Sequence, residues 1–164
     1  MRNRSGFTLI ELLVAVVIAG VLIVITVPGF THFRSSLLRN QVKWGLIADL
    51  RYARQTAVTK HRQVVVAFGD GSTTTNLTTY TLHTDTNANF VKDAGEPVLN
   101  RTLPKGALLT NVTLTPPDSV VFDNSGALRT PNSGGLPGGQ LTFKGPQGFV
   151  DTLNVSAIGM VYHP

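Results

Sequence analysis

Apolar residues occupy almost every position from Phe7 to Phe30, and Glu11 is the one charged residue among them. A helix of about 20 apolar residues is long enough to cross a bilayer, so residues 7–30 predict a transmembrane helix. Pro28 and Gly29 stand near its end. Because proline lacks a backbone N–H and its ring collides with the preceding turn, we expect the helix to break or kink there.

The pattern changes to helical spacing beyond the proline. Apolar residues recur three and four positions apart, which predicts an amphipathic stem helix over residues 31–62 with one apolar face. Lys60, His61 and Arg62 suit the C-terminal end of this helix, where cations meet the negative end of the helix dipole. The apolar positions are Phe30, Phe33, Leu37, Leu38, Val42, Leu46, Ile47, Leu50, Ala53, Ala57 and Val58.

From Gln63 onward the chain consists of short β-branched and apolar runs separated by Gly, Pro, Asn and Asp, a pattern typical of strands and turns. We therefore predict an α+β fold, in which a long N-terminal helix packs its apolar face on a small antiparallel β-sheet head, residues 63–164. The predicted strands are Val64–Phe68, Thr79–His83, Pro97–Thr102, Val112–Thr115, Ser119–Phe122, Gly139–Phe143 and Thr152–Ser156.

The positive charge is concentrated in the stem helix. The chain of 164 residues has a net charge of +5. Seven basic residues between His32 and Arg62 stand against one acid, Asp49, whereas five basic and seven acidic residues follow from Gln63 onward. A row of basic residues on one helix has two interpretations. It can contact acidic groups of neighbouring subunits and anionic lipid, or it can bind nucleic acid, and we favour the first.

Catalytic chemistry is not indicated. The chain has no cysteine, which excludes disulfides, thiol catalysis and cysteine metal sites. The four histidines are scattered without the spacing of a zinc site or a catalytic triad. We predict that the protein is not an enzyme and needs no cofactor for catalysis.

A polar segment in the head has the oxygen spacing of a calcium loop, although Phe90 stands at the sixth position, where such a loop needs glycine. Two interpretations remain open: the segment binds Ca²⁺, or it is a hairpin loop whose side chains cap its own turn. The candidate ligands are Asp85, Asn87, Asn89, Asp93 and Glu96.

The N-terminal sequence Gly6-Phe7-Thr8-Leu9-Ile10-Glu11-Leu12 resembles the signature of type IV prepilins and type II secretion pseudopilins. The resemblance implies that a prepilin peptidase removes a leader, residues 1–6, by cleaving between Gly6 and Phe7, and then methylates the amine of Phe7. It also implies that Glu11 guides the subunit into a filament. Scarce solvent in a helix bundle would favour pairing of Glu11 with the Phe7 amine of a neighbour.

A second resemblance is carried by five segments of the stem and the head, which cover about a third of the head: Leu50–Ala57, Asp85–Asn89, Asp93–Leu99, Val121–Gly126 and Leu141–Phe143. They resemble segments of the GspH/FimT group of minor pilins and pseudopilins. The resemblance implies the type IV pilin fold and a role in priming assembly or in the tip complex. It also implies three partners, namely other pilins in a helical filament, an inner-membrane assembly platform and the lipid bilayer. The expected location is the inner membrane, single-pass with the head in the periplasm, and then the pilus or pseudopilus.

Our first interpretation is a minor subunit of a type IV pilus, and the alternative is a GspH-like pseudopilin of a type II secretion system. A second alternative is a FimT-like pilin that binds DNA during natural transformation. Some FimT-like proteins bind DNA through a Gly-Arg pair in a C-terminal strand, but here the pair reads Gly159-Met160. Since phosphate contacts by cations supply most nonspecific affinity, DNA is not an expected partner.

Overall fold

The structure is a computed structural model that describes residues 6–69, 76–115, 118–130 and 138–164, with only the backbone described at 25–29, 31, 115 and 147. The described residues fall into two units, with the boundary between Leu37 and Leu38. A short 3₁₀ turn covers Pro146–Gly148. The other elements are α1 (Leu9–Lys60), β1 (Gln63–Phe68), β2 (Thr79–Asp85), β3 (Val98–Thr102), β4 (Leu108–Thr115), β5 (Ser119–Phe122), β6 (Gly138–Lys144), β7 (Val150–Val155) and β8 (Val161–Tyr162).

Helix α1 is a single helix of 52 residues, so the two predicted helical segments, 7–30 and 31–62, belong to one element. Helix α1 runs through Pro28 and Gly29, so the chain does not break there, whereas a kink at these residues stays a prediction. Proline removes only one N–H donor, and the hydrogen bonds of the flanking turns suffice to continue the helix.

Within the residues that the structure describes, no helix contains an apolar stretch long enough to cross a membrane. The predicted span includes residues 25–29, whose side chains lie outside the described part. The span stays a prediction.

The helix ends in a Schellman-type cap at the predicted basic residues. His61 adopts a left-handed conformation with φ of 51°. The Arg62 N–H donates to the Ala57 carbonyl, and the His61 N–H donates to that of Val58. These bonds satisfy carbonyl groups that the last helical turn leaves without partners, and they turn the chain directly into β1.

The predicted antiparallel strands are confirmed, and they form two four-stranded sheets. The first sheet has the order β3-β2-β1-β5 and the second has the order β4-β6-β7-β8, with all neighbours antiparallel. The sequence pattern missed β8, which is only two residues long and follows a turn at Gly159. Strand β1 lies in the middle of the first sheet and is almost entirely buried.

One hydrophobic core joins the second half of α1 to both sheets. The predicted stem stripe is buried where the head covers it, and each fully buried large apolar side chain contributes about 1.5–3 kcal/mol. By contrast Phe30, Phe33, Leu37 and Val58, which also belong to the predicted stripe, are exposed in the isolated chain. The helix residues of this core are Val42, Leu46, Ile47, Leu50, Ala53 and Ala57.

Candidate functional site

The predicted cleavage site lies just before α1, in residues that belong to no helix or strand. Gly6 and Phe7 precede the first helical residue, Leu9, and Phe7 is 85% exposed. Thr8 caps the helix, since its carbonyl accepts hydrogen bonds from the N–H groups of Glu11 (3.1 Å) and Leu12 (3.2 Å). Because this peptide bond lies outside the helix and is exposed to solvent, a peptidase can reach it.

Glu11 lies in the first turn of α1, where the positive end of the helix dipole favours a carboxylate. The Thr8 Oγ1 accepts the Glu11 N–H at 3.4 Å, and Thr8-Leu9-Ile10-Glu11 has the spacing of a capping box. The N-terminal motif alone did not indicate this second role of Glu11. Among the described residues, no side chain forms an ion pair with its carboxylate.

The residues that follow Glu11 form an exposed apolar surface. The large apolar side chains from Leu9 to Val24 are between 48% and 81% exposed. Exposed apolar patches of this extent mark interaction sites with protein or membrane. The N-terminal unit therefore presents one carboxylate at the end of a long uncovered apolar helix.

The predicted calcium ligands lie together in one loop, but their oxygen atoms accept hydrogen bonds from the loop itself. The carboxylate of Asp85 is buried at the end of β2. Its Oδ1 accepts the N–H groups of Ala88 (2.7 Å) and Asn89 (3.3 Å), and its Oδ2 accepts that of Phe90 (2.7 Å). Ala88 and Phe90 both have positive φ, so Asp85 stabilises a backbone conformation that these residues rarely adopt.

Glu96 and Asp93 close the other side of this loop. The Glu96 Oε1 accepts the Thr86 N–H at 2.7 Å, and its Oε2 accepts the Asp93 N–H at 3.2 Å. These backbone hydrogen bonds lower the pKa of Glu96. The Asp93 Oδ2 accepts the side-chain amides of Asn87 and Asn89, both at 2.7 Å.

This geometry favours a self-capped loop over a calcium loop. Within the described residues, no three His, Asp or Glu side chains group as they would around a metal ion. In this conformation Asp85 and Glu96 direct their oxygens at backbone donors, and binding of calcium by the five residues stays a prediction. The Arg62 guanidinium donates to the Thr86 carbonyl at 2.7 Å and ties the loop to the end of α1.

The segment Val121–Gly126 consists of the end of β5 and a turn, Asp123–Gly126, that packs on the stem helix at Gly126. The Asp123 Oδ1 accepts the N–H groups of Ser125 (2.8 Å) and Ala127 (3.0 Å) and the Ser125 hydroxyl (2.6 Å). Burial raises the pKa of Asp123, but these hydrogen bonds outweigh it and lower the pKa overall. Gly126 has φ of 80°, and a Cβ there would lie 2.9 Å from Val58 Cγ2.

A polar cluster that the sequence analysis missed joins the stem helix to the first sheet. The Tyr80 hydroxyl of β2 donates to Asp49 Oδ2 at 2.6 Å, and the Arg101 Nε of β3 donates to Asp49 Oδ1 and Oδ2 at 3.1 and 3.0 Å. Burial, and then the bond to Asp49, raise the pKa of Tyr80. The sequence contained one sign of this cluster, because Asp49 is the only acidic residue in the basic stem.

His83 is a second buried polar residue without a predicted role. It pairs with Val65 and Val98 in the first sheet and is only 3% exposed. Neither of its ring nitrogens has a hydrogen-bond partner among the described residues. Burial lowers the pKa of His83 despite the nearby carboxylates of Glu96 and Asp85, which raise it.

Comparisons with known proteins agree on the family and the fold. Residues 45–159 match the model of a family described as type II transport protein GspH, and residues 1–27 match the prokaryotic N-terminal methylation motif. Among solved structures, the chain is similar to the type IV minor pilin FimU of Pseudomonas aeruginosa (strain PAO1), at 16% identity and a TM-score of 0.50. That likeness covers 77% of this chain and 90% of the other, and it shows the fold alone. No curated protein sequence matches the chain.

The family match covers more than half of the chain, and the fold is the predicted long helix with an antiparallel β head. The methylation motif includes Gly6, Phe7 and Glu11. The chain belongs to the family described as type II transport protein GspH, carries a prokaryotic N-terminal methylation motif, and has the type IV pilin fold.

Proposed function

We propose that a prepilin peptidase cleaves this chain between Gly6 and Phe7 and that the new amine of Phe7 is methylated. Two features support this proposal. The motif match spans the site, and the peptide bond between the two residues lies outside the helix, with Phe7 almost fully exposed. The mature chain would then begin one residue before the helix cap at Thr8.

Glu11 is the residue that directs the mature subunit into the filament. In a filament the apolar surface from Leu9 to Val24 would pack against other helices, so the carboxylate of Glu11 would leave water. A buried charge without a partner costs several kcal/mol, whereas a charge paired with an opposite one does not carry the full cost. The methylated amine of Phe7 in the adjacent subunit supplies the cation.

Before assembly the same apolar segment anchors the chain in the inner membrane, with the head in the periplasm. Its extent in the sequence, residues 7–30, suits a bilayer. We give the head a structural task, because its carboxylates Asp85, Glu96 and Asp123 accept N–H groups of its own turns. We assign it to priming of assembly or to the tip complex of the filament.

A substitution at Glu11 tests this function. Glu11→Ala should leave membrane insertion and leader cleavage intact but reduce incorporation into filaments about tenfold or more, because a tenfold change corresponds to only about 1.4 kcal/mol. Gln140→Ala, a change at an exposed position of β6 in the head, is the control and should incorporate nearly normally. Incorporation of Glu11→Ala at the wild-type level would exclude the proposed role.

A type II secretion pseudopilus is the second candidate, and the description of the matching family favours it. Deletion of the gene distinguishes the two systems. Loss of secreted hydrolases with surface pili intact would assign the chain to secretion, whereas loss of surface pili with normal secretion would assign it to a type IV pilus.

A further inference from the structure

The first sheet ends in an open edge at β3. This strand lies at one end of the sheet, and its strand partner among the described residues is β2. The Thr84 N–H donates to the Pro97 carbonyl at 3.1 Å, and the Leu103 N–H donates to the Thr78 carbonyl at 2.8 Å. The backbone groups of successive residues in an antiparallel strand point to opposite sides. The residues that direct their N–H and carbonyl groups away from β2 are therefore Val98, Asn100 and Thr102.

This edge is uncovered, whereas the other sheet edges are covered or very short. Within the described part of the chain, no backbone hydrogen bond reaches these three residues from outside the sheet. At the opposite edge, the Arg129 N–H donates to the Val121 carbonyl of β5 at 2.9 Å. In the second sheet, the Leu77 N–H donates to the Leu109 carbonyl of β4 at 3.0 Å, and β8 has only two residues. An uncovered edge is a template for another extended chain.

Two cavities lie along this edge, where β3 faces the stem helix. Their volumes are about 210 and 190 Å³. One wall of the first is formed by residues 97–99, and one wall of the second by residues 101–103. We name the uncovered edge of β3 together with these two cavities the edge seam. The stem residues of the other wall, which are spaced three and four positions apart and so form one stripe of the helix, include Tyr52, Thr56 and Lys60 in the first cavity and Gln41, Gly45 and Asp49 in the second.

Gly45 keeps the second cavity open. It lies inside α1, where glycine is less favourable than alanine. A Cβ at this position would have no neighbouring atom within 4 Å, so no described part of the chain fills the space over the helix there. Glycine is the residue that lets another chain approach a backbone closely. The edge seam therefore has room for an added segment beside β3.

Arg101 offers hydrogen-bond donors to this space. Its Nε donates to both oxygens of Asp49, which holds the side chain against the stem. Among the described residues its Nη groups donate to no partner, and the side chain is 41% exposed. A guanidinium carries five N–H donors in a planar fork that matches a carboxylate. Arg101 can therefore bind a second carboxylate while it keeps its bond to Asp49.

The other charges around the edge seam leave it cationic. Of the seven basic residues of the stem, Lys60 is the one found among the described lining residues of the two cavities. Lys105 is exposed just beyond the end of β3. The two nearby acids are already engaged, because Asp49 accepts Arg101 and Glu96 accepts N–H groups of its own loop. An acidic side chain on a partner would therefore be favoured here.

The neighbouring stem cations are directed elsewhere. Arg54 contacts the turn that follows β5, beyond the opposite edge of the sheet. Arg62 donates to the Thr86 carbonyl, and the Lys43 ammonium lies 5.5 Å from the Trp44 ring. The edge seam thus lacks the row of cations that nucleic acid requires, and its free backbone groups suit a polypeptide.

We propose that the edge seam binds an extended segment of a partner protein, which adds to the first sheet as a further strand beside β3. The backbone of the segment would bond to the free groups of Val98, Asn100 and Thr102, as in β-strand addition. Its side chains on the stem side would enter the two cavities, because alternate residues of a strand share a face.

The edge seam also specifies two side chains of the segment. Arg101 faces the stem, since it bonds to Asp49. Leu99, two residues earlier, shares that face and packs against the hydrophobic core. The segment would therefore place an acidic side chain beside Arg101 and an apolar one beside Leu99. These two side chains would stand two residues apart, about 7 Å along the strand.

Amide hydrogen exchange measured by NMR tests the added strand. The isotope-labelled, full-length chain in detergent would be titrated with the peptide acetyl-Thr-Leu-Thr-Asp-Thr-Leu-Thr-amide, in which leucine stands two residues from aspartate in either strand direction. At saturation we expect exchange of the Val98, Asn100 and Thr102 amides to slow at least about tenfold, whereas the amides of β3 that already bond to β2 change little. No slowing at these three amides, or equal slowing throughout the head, would overturn the proposal.

Asn100→Pro and Asn100→Ala are a matched pair of variants. Proline removes an N–H that points away from β2, which an edge strand tolerates, whereas alanine retains that N–H. Asn100→Pro should bind the peptide at least about tenfold more weakly, and Asn100→Ala should bind it as the wild type does. Equal affinity of the two variants would overturn strand addition. A peptide N-methylated on its threonines repeats this test on the wild-type chain and should not slow exchange.

A second peptide tests the acidic side chain. Replacement of its aspartate by lysine should weaken binding at least about tenfold, because the Nη groups of Arg101 would then meet a cation. Equal binding of the two peptides would overturn the acidic specificity assigned to Arg101.

The inference goes beyond the proposed function and does not depend on it. Glu11→Ala should bind the peptide as the wild type does, because Glu11 lies outside the head. If the wild-type chain does not bind the peptide while Glu11→Ala fails to enter filaments, the edge seam is not a binding site and the proposed function stands. If the peptide binds while Glu11→Ala enters filaments normally, the edge seam stands and the proposed role of Glu11 fails.

Discussion

The acidic residues of the head act mainly on the backbone of this chain. Asp85, Glu96 and Asp123 each accept N–H groups of a nearby turn. Their spacing could be seen in the sequence, but a carboxylate at a given spacing suits either a metal ion or a set of backbone donors. Only the positions of the donors, which depend on positive φ at residues such as Phe90, distinguish the two.

Asp49 holds the stem helix against the first sheet, and its removal should destabilise the head. Asp49→Ala leaves the buried Tyr80 hydroxyl without its acceptor, and an unsatisfied buried polar group costs about 1–3 kcal/mol. We expect a decrease of that size in the free energy of unfolding, measured by urea unfolding of the full chain in detergent.

Arg101→Met is the matched control for this prediction. Arg101 is 41% exposed in its side chain, and exposed ion pairs contribute about 0–1 kcal/mol. Arg101→Met should therefore lower the free energy of unfolding less than Asp49→Ala does. If Arg101→Met destabilises as much as Asp49→Ala, the ion pair rather than the Tyr80 hydrogen bond is the dominant link.

His83 should make stability decrease in mild acid. Burial lowers its pKa below the ordinary 6.5, so the unfolded chain binds the proton at a higher pH than the folded chain does. The stability that neutral His83 contributes is therefore fully present above about pH 6.5, and it is lost as the pH falls toward the pKa of His83 in the folded chain. Unfolding at about pH 7.5 and about pH 5.5 should show this decrease in the wild type.

His83→Leu removes the titrating group among apolar neighbours such as Val65. The decrease between the two pH values should then be smaller than in the wild type. Asp85, Lys92, Asp93 and Glu96, which are the charged groups acting on His83, are unchanged in the variant. An identical pH dependence in the two proteins would show that His83 does not titrate in this range.

At the scale of elements, local patterns predicted the helix and strands but not their interruptions. The three-and-four spacing located the buried face from Val42 to Ala57. The same spacing included Phe33 and Leu37, which are exposed, because periodicity does not say which partner covers a face. Pro28 was taken as a break, although the cost of one proline, about 3 kcal/mol, is small against the hydrogen bonds of a 52-residue helix.

The turn at Gly126 should tolerate a side chain less well than a glycine turn in open space. Gly126→Ala places a Cβ 2.9 Å from Val58 Cγ2 and retains φ of 80°. Gly95→Ala is the control, because Gly95 has φ of 97° but nothing within 4 Å. The strain of positive φ costs about 1 kcal/mol in both. In urea unfolding, Gly126→Ala should lose at least about 1 kcal/mol more free energy of unfolding than Gly95→Ala does. Equal losses in the two variants would contradict the packing of Gly126 on the stem.

The self-capped loop predicts that calcium leaves the head unchanged. A ligand that binds only the folded state raises the melting temperature. Because Asp85 and Glu96 already bond to backbone donors, millimolar calcium should not shift the melting temperature of the full chain. A rise that disappears in Glu96→Gln would restore the calcium interpretation.

At the scale of the molecule, the sequence was sufficient for the fold class but not for the arrangement of the sheets. Each predicted strand had a local signal in its β-branched residues. The placement of β1 between β2 and β5, two strands from different parts of the chain, depends on non-local pairing that no local pattern encodes. The two-residue β8 was missed for the same reason, since only its pairing with β7 defines it.

The processing site was predictable because its chemistry is local. Gly6, Phe7 and Glu11 lie within one short segment, and their arrangement ahead of and inside the first helical turn needs no distant partner. The packing of the turn at Gly126 on Val58 of the stem was not predictable, because these residues are 68 positions apart in the sequence.

The mass of the N-terminal peptide of the mature chain tests the central claim most directly. The chain would be isolated from cells that contain the prepilin peptidase and digested for mass spectrometry. We predict a peptide that begins at Phe7 and carries one methyl group on its amine. A mature chain that retains Met1–Gly6, or one that is cut elsewhere, would contradict the assignment.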